Sequence, residues 1–254
     1  MTHDPFITTL IATAQTDPDV LGLVLCGSSA HIGRRDQWSD HDFLLITIDG
    51  TPERYRTDLA WLPNADGIAF WFRETAHGLK VLYRSGLMVE FAVFDRLEFA
   101  TCALNHYAVV IDHGGISEIA AEVQQRSLAP RSVDRRAEFR LFLSLVYIGV
   151  GRARRGELLS ANVVIRTYAL EHLLRTACDA LEPDAGEHLD ALDVWRRFET
   201  ADADLAGRID AALARPVELC ARDLVDIAVD WLSPRWPECP VDDANVVSDL
   251  LGWT

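Results

Sequence analysis

Two aspartates one residue apart, Asp40 and Asp42, stand at the head of the apolar run "FLLITI" (43–48), and Gly27-Ser28 closes the apolar run before them. In a strand, residues i and i+2 project to one side, so the two carboxylates converge while His41 points away. Like charges held that close are costly unless protonated, paired or bridged by a metal ion. Mg²⁺ is the natural bridge, because it favours carboxylate oxygens and keeps water and phosphate as its other ligands. A Gly-Ser turn beside such a pair lets backbone amides and a hydroxyl hold phosphate oxygens. A third carboxylate, Glu90, is the one charge in "LMVEFAVF" (87–94), and a lone charge in an apolar strand needs a partner. Each feature has an ordinary reading as well. D-x-D can be a solvated acidic edge, and Glu90 can face water at a strand edge. Together they point to a metal site with nucleotide phosphates beside it.

The elements that must position these residues are legible. Pro5 to Gln15 carries apolar residues at helical spacing, with Asp4 as its N-cap and Pro5 at the first helical position. "VLGLVLCG" (20–27) and "FLLITI" read as buried strands. A helix is expected from Thr51 to Leu62, then strands at 67–72, 79–83 and 87–94 with turns at His77-Gly78 and Ser85-Gly86. Asp95 to Asn105 reads as a helix and "AVVID" (108–112) as a last strand. Beyond about 117 helical periodicity takes over, at 133–155, 157–182, 187–199, 203–214 and 216–232. The tail from Pro234 has no assigned structure. The expected fold class is α+β: a mixed-sheet domain over 1–125, then a helical bundle domain over 126–254.

Composition narrows the functional classes. The chain has 254 residues, 49% of them hydrophobic, which is enough for a real core. A net charge of −15 argues against gripping a nucleic-acid backbone and suits a cationic small molecule. No apolar stretch reaches the roughly 18 residues of a membrane span, and the amino terminus lacks a basic leader, so a cytoplasmic, membrane-free protein is expected. Five scattered cysteines form no C-x-x-C pair and read as reduced and structural. Lys80 is the only lysine, so almost all positive charge is arginine, a good binder of phosphate and carboxylate.

G-S, a spacer, D-x-D before apolar residues and a third acidic residue on a later strand resemble the nucleotidyltransferase signature of the DNA polymerase β superfamily. Within it, a catalytic half followed by a helical half is similar to the small nucleotidyltransferases that act on aminoglycoside or lincosamide antibiotics. The motif resemblance covers about residues 20–95, and "AVVIDHGG" (108–115) is similar to a strand and turn that often follows. His41 departs from the family, where the middle position of D-x-D is usually apolar.

The resemblance implies transfer of a nucleoside monophosphate, AMP first, from a triphosphate such as ATP to a hydroxyl of a small molecule. It implies Asp40 and Asp42 as Mg²⁺ ligands, with two ions in the site, and Glu90 as either a further ligand or the base. Gly27 and Ser28 would hold phosphates, with Arg34 and Arg35 within reach of the triphosphate. In the helical half, Glu157 and Glu171 are the candidates to meet a cationic acceptor. A monomer or homodimer is expected. Two alternatives keep the nucleotide: adenylylation of a partner protein, and a nucleotide-binding regulator without turnover.

Overall fold

The computed structural model describes residues 4–30, 39–129, 133–181, 189–190 and 192–253. The chain divides into two compact units, Met1–Ala129 and Pro130–Thr254.

The first unit is built on a six-stranded sheet: β1 (Val20–Cys26), β2 (His41–Thr47), β3 (Ile68–Arg73), β4 (Gly78–Tyr83), β5 (Met88–Phe94) and β6 (Tyr107–Asp112). Its spatial order is β3-β4-β5-β2-β1-β6. Only β2 and β5 run parallel; the other neighbours are antiparallel. Alternation sorts the strands' side chains between two cores. Phe43 and Leu45 of β2 and Val89, Phe91 and Val93 of β5 join Phe6, Ile7, Leu10 and Tyr55 on one face. Ile46 and Phe94 join Phe99, Ile116, Ala120 and Val123 on the other. Asp42 and Glu90 belong to this second face, one step before the apolar residues that close it.

Helix α1 (Pro5–Thr16) starts where Asp4 accepts from the amides of Phe6 and Ile7, and proline fills its first turn. Helix α2 is only Pro52–Thr57, shorter than expected. Asp58 leaves helical backbone there and its carboxylate accepts from the Ala60 amide. Buried Arg56 ties α2 to the end of β5 through the Val93 carbonyl (3.0 Å) and to Glu98 (2.7 Å) in α3 (Arg96–Thr101). That network fixes the strand carrying Glu90.

Helix α4 (Ile116–Ser127) was not among the expected segments. Asp112, at the end of β6, starts it by accepting from the amides of Gly115, Ile116 and Ser117. Hydrogen bonds from Ser117, then from the Ile116 amide, pull the Asp112 carboxyl down to about 2. A depressed folded pKa stabilises the fold above the ordinary value of 3.8 and loses that contribution as pH falls towards 2. Asp112→Ala is expected to cost about 1 kcal/mol at pH 7, a few degrees in a thermal melt, with the gap to wild type closing at the acid end.

The second unit is helical: α5 (Arg135–Arg154), α6 (Leu158–Val163), a π-helical stretch (Val164–Ala169), α7 (Leu170–Ala180), α8 (Phe198–Ala201), α9 (Ala203–Leu213), α10 (Val217–Leu232) and α11 (Val241–Leu251). Phe139, Phe142, Val146 and Val150 of α5 form its centre with Ile165, Leu170, Leu224 and Trp231. Gly149 lets α5 approach closely, since a Cβ there would meet Ile165 Cγ1 at 2.5 Å. One expectation needs correction. The helix expected over 187–199 is absent from 192–197, where Asp190 and Asp193 bind the amides of Leu192 and Trp195 and Arg197 takes a left-handed φ of 65°. The tail, left unassigned above, carries α11, ended by Gly252 in the left-handed region. Among the described residues no helix is long and apolar enough to cross a membrane.

Candidate active site

Asp42 occupies the second position of β2 and stands directly opposite Glu90 in the parallel β2–β5 pair, while Asp40 immediately precedes the strand. The three carboxylates each offer one oxygen, and those oxygens lie within 4.8 Å of one another. At that separation two unit charges repel by about 3 kcal/mol at an effective dielectric near 20. The group is half-buried, so solvent screens only part of this. A hard divalent cation is the chemical complement of such a donor set.

Gly27 opens the 3-10 turn Gly27–Ala30 with φ at +54°, and a Cβ there would lie 3.0 Å from Asp42 Oδ2. Glycine therefore serves both the left-handed backbone and the close passage past the carboxylate. Ser29 Oγ accepts from the Asp42 amide at 3.1 Å, locking the turn to β2. Ser28 Oγ is buried and has no hydrogen-bond partner among the described residues. A buried hydroxyl with no partner among the described residues, in the turn whose glycine passes Asp42, suits a site that takes up a polar ligand. The neighbouring Cys26 thiol is pushed up to about 12 by burial first, then by Asp42, which favours the protonated form.

Glu90 differs from the expectation of a lone buried charge. Its side chain is about one-third exposed, and Lys80 of β4 lies directly opposite with Nζ 3.2 Å from Oε1. Lys80 also reaches Glu74 at 3.3 Å, and its pKa is raised by the hydrogen bond to Glu90 first and that to Glu74 next. Sequence reasoning singled out Lys80 only by rarity. The signal that locates it is the β4–β5 hairpin, where Lys80 and Glu90 are equidistant from the turn.

His41 faces the opposite side of the sheet, as its alternation requires. It is 7% exposed, stacks on Phe6 with centroids 5.1 Å apart, and its Nε2 sits 3.3 Å from Asp4, the residue that caps α1. His41 thus ties α1 to the strand that carries Asp42. His41→Ala is expected to cost about 1–2 kcal/mol of stability in a thermal melt yet leave metal-dependent nucleotide affinity within about threefold.

Arg34 and Arg35 lie outside the described residues. Glu157 and Glu171 belong to the helical unit and are each engaged locally. Glu157 pairs with Arg155 at 3.0 Å, which holds its carboxyl below the usual range, and Glu171 pairs with Arg175 one turn on. Glu171 also lines a cavity of about 560 Å³ with Glu138, Asp134 and Trp195.

No family model matches the sequence, and no curated protein matches it. Among solved structures the chain is similar to a nucleotidyltransferase-like protein from Exiguobacterium sibiricum 255-15, at 15% identity and a TM-score of 0.36, over 89% of this chain and 74% of that one. It is also similar to an aminoglycoside 6-adenyltransferase from Bacillus subtilis, at 12% identity and a TM-score of 0.35, over 96% and 95%. Scores at this level carry no inference about chemistry, which rests on the carboxylates themselves.

Proposed function

We propose that this chain transfers a nucleoside monophosphate, AMP first among candidates, from a nucleoside triphosphate to a hydroxyl of a small molecule. The observation that carries this reading is the convergence of Asp40, Asp42 and Glu90 within 4.8 Å, beside a glycine turn that passes Asp42 closely. Asp40 and Asp42 would hold Mg²⁺, which when bound supplies counter-charge to the carboxylates and the triphosphate and polarises the α-phosphate.

The chain's own groups account for the rest. Gly27 and Ser28 hold the outer phosphates through the turn's amides and the buried Ser28 hydroxyl, which has no partner among the described residues. Lys80 supplies Glu90 with an ammonium partner 3.2 Å away, which orients the carboxylate that takes the acceptor's proton. The acceptor oxygen bonds to the α-phosphorus, the bond from that phosphorus to the α,β-bridging oxygen breaks, and pyrophosphate leaves with the electron pair. The acceptor's hydroxyl proton passes to Glu90.

The acceptors to try first are aminoglycosides and lincosamides, the classes suggested by the signature's resemblance and by the acidic composition. The test is pyrophosphate release with Mg²⁺, each of the four triphosphates and a panel of both classes. Stoichiometric release with the label from the α-phosphate on the acceptor supports the reading. Release that is the same without any acceptor, or without divalent metal, counts against it.

A further inference from the structure

The register of the sheet sets Asp42, Glu90, Lys80 and Phe72 in one row across four adjacent strands. Paired residues on neighbouring strands project to the same face, so the row that begins with carboxylates ends with an aromatic ring on the edge strand. The next row on that face is Phe70, Leu82 and Met88. Phe70 and Phe72 are 52% and 46% exposed, unusual for two phenylalanines two residues apart. Exposed apolar surface of this kind usually marks a binding surface. A bulge between Ile68 and Phe70 twists the edge strand, a feature that discourages pairing with another chain.

On this basis we propose that Phe70 and Phe72 form the seat of the acceptor, and that the acceptor is a ring-bearing alcohol presenting an apolar ring face beyond its reactive hydroxyl. The inference rests on the nucleotidyl-transfer reading. In-line displacement requires the attacking and leaving oxygens on opposite sides of the α-phosphorus. The turn proposed to hold the leaving phosphates packs against β1 and β2, so the attacking hydroxyl enters over Glu90, from the β4–β3 side. Strands are spaced about 4.8 Å apart, which puts Phe72 roughly 10 Å from Glu90 along the row. A hydroxyl at Glu90 and a ring over Phe72 therefore belong to a molecule of at least two ring widths, or a ring on a short arm. Rings stack on aromatic side chains with useful energy, and Phe70 and Phe72 are both exposed and project to one face two residues apart.

The probes are diethylene glycol monophenyl ether and diethylene glycol monomethyl ether, which share hydroxyl and arm and differ in the ring. Each is added to the full chain with Mg²⁺ and α,β-methylene-ATP, and saturation-transfer NMR reads the protons of the ethers and of the nucleotide in one sample. The expected result is saturation of the phenyl ring, weakened roughly tenfold in affinity by the double variant Phe70→Ser, Phe72→Ser and largely restored by Phe70→Leu, Phe72→Leu. Both positions are exposed, so neither variant threatens the core, and a thermal melt checks this. Ring signals that are absent, or equal in wild type and the serine variant while the nucleotide still binds, overturn the seat and leave nucleotidyl transfer standing. A dimer in sedimentation that the serine variant dissolves assigns the edge to a second copy and also overturns it. Loss of metal-dependent nucleotide binding in the wild type overturns the transfer reading itself, and the seat falls with it.

Discussion

Asp40→Asn and Asp42→Asn are each expected to reduce metal-dependent transfer at least about a thousandfold, equivalent to about 4 kcal/mol of transition-state stabilisation. The loss follows from the donor set. An amide oxygen is a weaker ligand for a hard cation than a carboxylate, and the two aspartates are the carboxylates without a lysine across the strand pair. Stability should move the other way. Asp40 contributes to the mutual repulsion of three carboxylates, so in metal-free buffer Asp40→Asn is expected to match or exceed the wild type by up to about 1 kcal/mol after solvent screening. Thermal melts with a chelator and with excess Mg²⁺ check this. The wild type should gain more from Mg²⁺ than the variant, because an ion that binds only the folded site stabilises by mass action. A variant that is unfolded, rather than inactive and stable, would assign Asp40 a structural duty instead.

Glu90→Gln is expected to separate chemistry from binding. Glu90 already has Lys80 at 3.2 Å, whereas Asp42 lies against the glycine turn. Glutamine keeps the volume and a hydrogen-bonding oxygen but cannot accept the acceptor's proton. Turnover should fall about 10²–10⁴-fold, the usual span for loss of a general base, while the nucleotide's KM stays within a few-fold. Steady-state kinetics with both substrates varied makes the distinction. If the nucleotide's KM rises in step with the fall in kcat, Glu90 acts as a metal ligand rather than as the base.

Much of the fold and the core of the site could be read from residue order, for identifiable reasons. The strands announce themselves because one face of each is buried and alternation is strict, as in Leu79, Val81 and Tyr83 on β4. Asp40 and Asp42 stand out because acidic residues at the head of an apolar strand are costly. The arrangement of Lys80 opposite Glu90 was equally available from the hairpin, but it needs the strands paired before either residue means anything. His41 became intelligible only when α1 was packed against β2, since its partners Asp4 and Phe6 are far off in sequence. Segment 192–197 was misread because its apolar residues keep a helical period while Asp190 and Asp193 capture nearby amides locally. Helix α11 went unassigned because Pro234, Pro237 and Pro240 crowd the stretch before it, although a proline is compatible with the start of a helix.

The central claim is that Asp40 and Asp42, with Glu90 beside them, form a metal–triphosphate site. Titration of Mn²⁺ into the full chain with α,β-methylene-ATP, followed by electron paramagnetic resonance of the free ion, reads that claim without any acceptor or turnover. The account predicts nucleotide-dependent Mn²⁺ binding by the wild type, weakened at least about thirtyfold in Asp40→Asn and in Asp42→Asn, roughly 2 kcal/mol for each lost carboxylate. Equal Mn²⁺ binding by wild type and both variants would contradict it.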